Sequence, residues 1–522
     1  MFQTLNKTFM NFRKNIKSLL AAVALVGFVS CEDLEVDNLN ALDINGVLAN
    51  PGEFPALVQG AYGQWWNQTQ ISYPNMYLSV AAQVFSSSWT NYAMFDGGRI
   101  PPRPFVNSNT ASTRLVNRNP WRGIYNSIGP VNDVLKVMNS NFEGRAIDPV
   151  TGEDNTAVVL ANARMMQGLA LGWVSLIFDR GFIVSEELTD DELGSLEFQN
   201  YRECADAAKA RFLEAADLFD SNPNINFNGF NGVTLPAAEA ARFARSYAAK
   251  IEAFSARNAE QTVNETDWSE VLQLTTNGIT ADIAPIGDGG NQWWTRALRN
   301  GQFSGWVRAS QRLINMMEGG SGGRDIQNAA DTDPNHPTAP YPWQDNVLSY
   351  PEITAPRDQR LLTDFTYNSS VPFRSDRGFY IFGNYSYSRY IYFVNDNLVG
   401  PMPHFTLTEN NLLRAEALIR TGGNKAEAAQ LINDSRVGRG GLPALLGTES
   451  DEELLRQVTY ERLVELSWHS ATNGYLARRI TTYKDYKLTP GTPLSIPVPA
   501  SELEALGQEI YTFGGLGNPD GS

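Results

Sequence analysis

The chain has 522 residues, 42% of them hydrophobic and 19% charged, and its 57 acidic against 41 basic side chains leave a formal net charge of −16. That length supports a large core and more than one substructure, and the acidity argues against nucleic acid or an anionic membrane surface as a partner. With only two cysteines, Cys31 and Cys204, no disulfide is expected.

Arg13, Lys14 and Lys17 precede an apolar run from Leu19 to Val29, and the small Ser30 stands directly before Cys31. That order reads as a secretory signal peptide over residues 1–30. The run makes about 16 Å of helix at 1.5 Å per residue, against roughly 30 Å of hydrocarbon core, so it is too short to span a membrane. Its end resembles a bacterial lipobox, with Phe28 where such motifs usually carry Leu, and Cys31 is the residue expected to carry lipid. Several acyl chains on one cysteine hold a protein firmly to a bilayer, whereas one binds marginally. Removing residues 1–30 takes four basic and no acidic side chains and moves the formal charge from −16 to −20. Glu32-Asp33-Leu34-Glu35, just behind the lipid site, resembles the export tag of surface lipoproteins, and it also reads as a plain solvated tether over residues 31–50.

Phe54, Leu57, Val58, Ala61 and Trp65 recur at three and four, which predicts a helix with one apolar face. A second is expected from Tyr73 to Phe85, and the proline-dense Ile100–Pro104 stretch is read as loop. Trp121–Met138, Thr156–Phe178, Tyr201–Phe219 and Ala237–Ala256 each show helical period with alanine-rich faces, which suggests packed antiparallel pairs. Cys204 shares a face with Tyr201, Ala205, Ala208 and Phe212, as a buried small hydrophobe would. Small residues on one side and aromatics on the other look like degenerate tetratricopeptide pairs. After a helix at Asp267–Ile279 the pattern changes, and residues 281–403 read as a loop-rich substructure resting on the helices. Helical period returns at Leu407–Arg420, Lys425–Arg436 and Glu452–Trp468. The expected fold class is therefore mainly α. Its helical-pair scaffold runs over 51–280, is interrupted by the irregular region, and is closed by 404–522.

Several separated stretches resemble the SusD/RagB family of outer-membrane nutrient-binding lipoproteins. They are Leu57-Val-Gln-Gly-Ala-Tyr, Ala163-Arg-Met-Met-Gln-Gly-Leu-Ala-Leu with Phe178-Asp-Arg-Gly, Leu412-Leu-Arg-Ala-Glu-Ala-Leu, Leu431-Ile-Asn-Asp-Ser-Arg, Tyr460-Glu-Arg-Leu-Val-Glu-Leu, and Leu494-Ser-Ile-Pro-Val-Pro-Ala-Ser-Glu-Leu. His469-Ser-Ala-Thr-Asn-Gly-Tyr-Leu departs from the family pattern, which implies a divergent branch. The resemblance implies a binding protein rather than an enzyme, with no cofactor. It would be anchored through Cys31 at the cell surface, over a SusC-like TonB-dependent transporter, and would capture oligosaccharide or, in the RagB-like alternative, peptide. A scaffold lipoprotein without a small ligand is the reading from another class. An acidic, aromatic-rich chain with a loop-rich face suits capture of a neutral ligand.

Catalytic and metal motifs find little support. His336, His404 and His469 are not spaced for a zinc helix. Gly319-Gly-Ser-Gly-Gly has the letters of a nucleophile elbow without the strand before it, and reads as a glycine linker. Asp331-Thr-Asp-Pro-Asn begins like a calcium loop but has His336 and Pro342 where Gly and Glu are required. Aromatic rings are the positive signal, because sugar faces pack on them while hydroxyls reach nearby polar groups. Trp89, Asn91 and Tyr92 follow the second helix in a loop where the family often places ligand contacts. Trp293, Trp294 and Trp306 lie in the irregular region with Arg296, Arg299 and Arg308 nearby. The expected ligand-binding set is Trp89, Asn91, Tyr92, Trp293, Trp294, Trp306 and Arg308, with no catalytic residue and no metal ligand. Tyr385, Tyr387 and Tyr390 alternate as in a half-buried strand.

Overall fold

The structure, a computed structural model, describes residues 48–318, 350–470, 472–483, 486–518 and 521. The signal-like stretch, Cys31, the glycine run after Glu318 and the Asp331–Pro342 segment with His336 lie outside the described residues. From Asn50 onward the chain forms one unit, and helices dominate it, as the mainly α expectation requires.

The main helices are α1 (Phe54–Trp66), α2 (Pro74–Ala81), α3 (Arg114–Asn141), α4 (Thr156–Ile177), α5 (Tyr201–Ser221), α6 (Ala237–Phe254) and α7 (Trp268–Thr276). The irregular region holds α8 (Arg296–Gly301) and α9 (Gln311–Glu318), and the C-terminal part holds α10 (Leu407–Arg420), α11 (Lys425–Arg436), α12 (Asp451–Glu461) and α13 (Asn473–Ile480). From α3 to α7 each helix packs on its successor, and α7 then lies against α10, which packs on α11 and α12. The array is thus continuous in space across the break from 281 to 403. Sequence cues set the helix starts: Asn200 and Glu203 form a capping box on α5, while Asp267, Thr406, Asn424 and Ser450 cap α7, α10, α11 and α12.

Close approach of α4 to its neighbours depends on two glycines. A Cβ at Gly168 would fall 2.8 Å from the Phe212 ring of α5, and one at Gly172 would fall 2.8 Å from Ile251 of α6. Because α4 is buried on nearly all sides, it is long and apolar enough to cross a membrane yet serves as the core helix of the array. Its last carbonyls face inward and need donors. Arg257 supplies them to Ser175, Leu176 and Phe178 at 2.6–3.0 Å, and Arg479 reaches Leu176 and Phe254 at 2.8 and 2.7 Å. The C-terminal helix dipole favours cations there. Cys204 is free and buried against this layer, with its thiol pushed up to about 12 by burial, so it is inert.

Several helix boundaries differ from the periodicity reading: α12 ends at Glu461 rather than running to Trp468, α7 spans Trp268–Thr276 rather than Asp267–Ile279, and two other differences have a visible cause. The third helix starts at Arg114 rather than Trp121, running through Pro120, because Val116, Asn117 and Pro120 are all buried and their packing offsets the lost backbone bond. The second stops at Ala81, since Gln83 takes a left-handed φ of 55° and Phe85–Ser86 becomes a strand. That strand pairs antiparallel with Arg308–Ala309, with Phe85 opposite Ala309 and Ser86 opposite Arg308. Among the described residues the other strands are also short pairs, including Ile286–Asp288 with Val399–Pro401 and Phe365–Tyr367 with Tyr385–Tyr387. Tyr385 and Tyr387 are fully rather than half buried, because the Trp468 ring stacks on Tyr387 at 4.4 Å.

The irregular region is bolted to the C-terminal helices by buried charge. Arg360 bonds Asp358 at 2.7 Å, Glu461 at 2.7 Å and Glu465 at 3.1 Å, while Arg389 and Arg439 meet the same Glu465 at 2.7 and 2.8 Å.

Candidate functional site

The pairing of Phe85–Ser86 with Arg308–Ala309 brings the loop after α2 beside the segment that follows α8. Ser87 Oγ donates to the Trp306 carbonyl at 2.7 Å, and Trp89 Nε1 donates to the Gly305 carbonyl at 2.8 Å. Tyr92 and Ala93 both adopt left-handed φ, 54° and 56°, at about 1–2 kcal/mol each for a residue with a Cβ. This bend swings the Tyr92 ring to 5.8 Å from Trp306 and 4.9 Å from Tyr73.

On the facing side, Thr295 caps α8 by accepting from the Leu298 N–H at 3.1 Å. Arg296, Arg299 and Asn300 therefore stand on one helical face. Arg296 Nε donates to the Ile71 carbonyl and its Nη1 to the Tyr92 hydroxyl, each at 2.7 Å. The Trp294 ring lies beneath both guanidiniums, 4.7 Å from Arg296 and 4.9 Å from Arg299. Together these groups enclose an open cleft of about 440 Å³, lined by Tyr92, Arg296, Arg299, Asn300, Phe303, Ser304, Gly305 and Trp306. Phe303 is 42% exposed, and Tyr92 and Trp306 are half-buried. Two flat rings, an exposed phenyl, an amide, a hydroxyl and two cations can hold a polyhydroxylated ligand by its face and its rim together.

The residues expected from sequence fall in different places. Tyr92 and Trp306 meet at the cleft. Trp89 and the exposed Asn91 lie on the adjoining loop, where Trp89 packs against Val371, Phe373, Tyr380 and Phe382. Trp294 is buried as the support for the two arginines, and Trp293 packs on Trp66 at 5.1 Å and on Phe230 at 6.0 Å in the aromatic core. Trp66 Nε1 donates to the Trp294 carbonyl at 2.9 Å and so fixes this segment. Arg308 is buried in its strand, with burial pulling its pKa down to about 10. Asn300, Phe303 and Ser304 escaped the sequence reading. Phe303 carried a signal, an aromatic set between polar and glycine residues in Gly301-Gln-Phe-Ser-Gly, where no apolar period requires it.

A second cavity, of about 40 Å³, lies between the helices against Trp65, Phe212, Tyr247 and His404, and has room for about one water. His404 is held neutral there, its pKa lowered to about 3 by burial and by Lys250; burial and Arg389 do the same to His469. Among the described residues no group of three metal-ligating side chains comes together.

No protein-family model and no curated protein matches the sequence. Solved structures do. A SusD superfamily protein from Bacteroides vulgatus aligns at 15% identity and a TM-score of 0.56, over 87% of this chain and 97% of that one. A SusD-like carbohydrate-binding protein from Bacteroides fragilis aligns at 13% and 0.53, over 82% and 86%. A structure solved with a xylogluco-oligosaccharide aligns at 14% and 0.50, over 82% and 83%. At these identities the likeness establishes the architecture, and the fold of this chain is SusD-like.

Proposed function

We propose, with the SusD-like fold as premise, that this protein is a cell-surface lipoprotein that captures an oligosaccharide in the cleft beside α8 and passes it to a SusC-like TonB-dependent transporter. The observation that carries the reading is the open cleft of about 440 Å³ in which the half-buried rings of Tyr92 and Trp306 stand beside the exposed Phe303. Its size suits a few sugar units. Structures of the same fold include one described as carbohydrate-binding and one solved with a xylogluco-oligosaccharide. Binding without turnover fits the lining, because hydrolysis of a glycosidic bond needs two carboxylates across the sugar and the described residues place none in the wall. The lipobox-like stretch ending in Cys31 supports the anchor, and the family resemblance supports the transporter.

Trp306→Ala is expected to weaken binding of the retained glycan about tenfold or more in isothermal titration calorimetry, since it removes a central ring from a desolvated contact. Unchanged affinity places the site elsewhere. Cys31→Ala is expected to move the protein from the membrane fraction to the soluble one and to abolish metabolic labelling with a fatty acid. A variant that stays membrane-bound and labelled refutes the anchor.

A further inference from the structure

The charge of the cleft runs against the charge of the chain. The sequence carries 57 acidic and 41 basic side chains, yet the wall of the cleft holds two guanidiniums and, among the described residues, no carboxylate. Elsewhere many arginines are matched by carboxylates: Arg164 meets Glu186, Arg389 meets Glu465 and Arg420 meets Glu416, each at 2.7 Å. Arg296 and Arg299 are oriented, and among the described residues no carboxylate pairs with them. Among the described residues their contacts are a tryptophan face and, for Arg296, the Tyr92 ring at 4.3 Å, the hydroxyl of that tyrosine and a backbone carbonyl. The two cations stand one turn apart on the same face of α8 and oppose each other: burial, and beyond it the positive charge of Arg299, hold the Arg296 pKa down. A third guanidinium, Arg377, lies 5.7 Å from the ring of Trp89, whose indole N–H is bonded to the cleft wall at Gly305. Fixed, half-buried cations of this kind gain from an anion whose oxygens accept paired hydrogen bonds from their N–H groups.

Resting on the reading of the cleft as an oligosaccharide site, we infer that its ligand is an acidic oligosaccharide, whose carboxylate or sulfate ester is seated between Arg296 and Arg299 while a sugar face lies on Trp306, beside the Tyr92 ring that Arg296 covers. This narrows the ligand class away from the neutral sugars that the overall composition suggests. Ring contact holds the chain of sugars. The arginine pair selects which chains enter.

The test uses the purified protein and matched pairs of hexasaccharides in titration calorimetry. One pair is hexagalacturonate and its methyl ester, and the other is a sulfated galactan hexasaccharide and its desulfated parent. The charged member of at least one pair is expected to bind about tenfold or more tightly than its neutral partner, and which pair responds distinguishes a uronate from a sulfate. That advantage is expected to shrink as sodium chloride rises to roughly 0.5 M. Arg299→Gln is expected to bring the affinity ratio close to one; where the variant does not fold, the salt dependence of the natural protein decides. Equal affinity within both pairs, or a ratio that survives in Arg299→Gln, overturns the inference and leaves the oligosaccharide reading standing. Binding of hexaglutamate with no binding of any of the four sugars overturns both.

Discussion

Arg360→Ala is expected to lower folding stability by about 3–5 kcal/mol, the range for removing one partner from a buried ion pair. Arg360 is 0% exposed and touches Asp358, Glu461 and Glu465. Burial opposes its charge, and the carboxylates of Glu461 and Asp358 outweigh that, so its pKa lies well above the ordinary value. Truncation leaves these carboxylates in the interior without their cation. It also unfastens the irregular region from α12, because Asp358 and Arg360 belong to the former and Glu461 to the latter. Chemical denaturation of the variant against the natural protein measures the loss, and a change below about 1 kcal/mol would show that the cluster tolerates an open charge. Adding Glu461→Gln to Arg360→Met is expected to cost less than Arg360→Ala alone, since both charges then leave together. The same cluster sets an acid limit. Glu465 is pushed up by burial and pulled down further by Arg389, Arg360 and Arg439, to about 2. A carboxylate depressed in the fold contributes stability above its unfolded pKa and loses it as protons bind the native form. Stability is therefore expected to fall as pH drops from about 4.5 toward 2, and the fall to be smaller in Glu465→Gln.

Most of the scaffold was legible because helical period is a local signal. α10 and α11 match the sequence reading at both ends, each with its cap in the preceding residue. The motif stretches also meet in space. Ser435 of Asn-Asp-Ser-Arg donates to Glu461 at 2.7 Å, and Arg462 pairs with Glu416 of the alanine-glutamate helix. Arg360, the partner of Glu461, was not legible, since nothing near it in sequence shows that Glu461 and Glu465 will join Asp358 around it.

Within the site, residue type was readable and exposure was not. Trp293 and Trp306 are alike as letters. One is covered by Trp66 of α1 and by Phe230, and the other stands beside Tyr92 through a strand pairing that joins residues 85–86 to 308–309. Which ring faces solvent is settled by such distant contacts, and period-based reading sees only neighbours. In sequence the arginines stand only as neighbours of Trp293, Trp294 and Trp306. Their role as the charged wall, with Trp294 beneath them, needed the helix that puts Arg296 and Arg299 on one face.

Trp468→Ala is expected to cost about 3–5 kcal/mol in stability and to weaken ligand binding as well, although Trp468 does not line the cleft. The indole is fully buried; it stacks on Tyr387 at 4.4 Å with planes 9° apart, meets Phe85 at 4.1 Å with planes tilted by 32°, and meets Phe365 edge-on at 5.9 Å. Among the described residues its Nε1 has no hydrogen-bond partner, so the loss is one of packing. A Cβ at Gly301 would fall 2.9 Å from the ring, which means that the end of α8 rests directly on this tryptophan. Phe85 belongs to the strand that carries the chain toward Trp89 and Tyr92. Both walls of the cleft are therefore braced by one side chain, in the stretch just before the His469 segment where the sequence departs from the family pattern. A cavity left there relaxes only partly, and α8 with its two arginines loses its floor. Denaturation midpoints and titration calorimetry on Trp468→Ala and Trp468→Phe separate the two effects: Phe is expected to recover most of the stability, and the affinity in proportion. A Trp468→Ala protein that is destabilised yet binds the proposed oligosaccharide at full strength would show that the cleft is held by its own hydrogen bonds rather than by the core behind it.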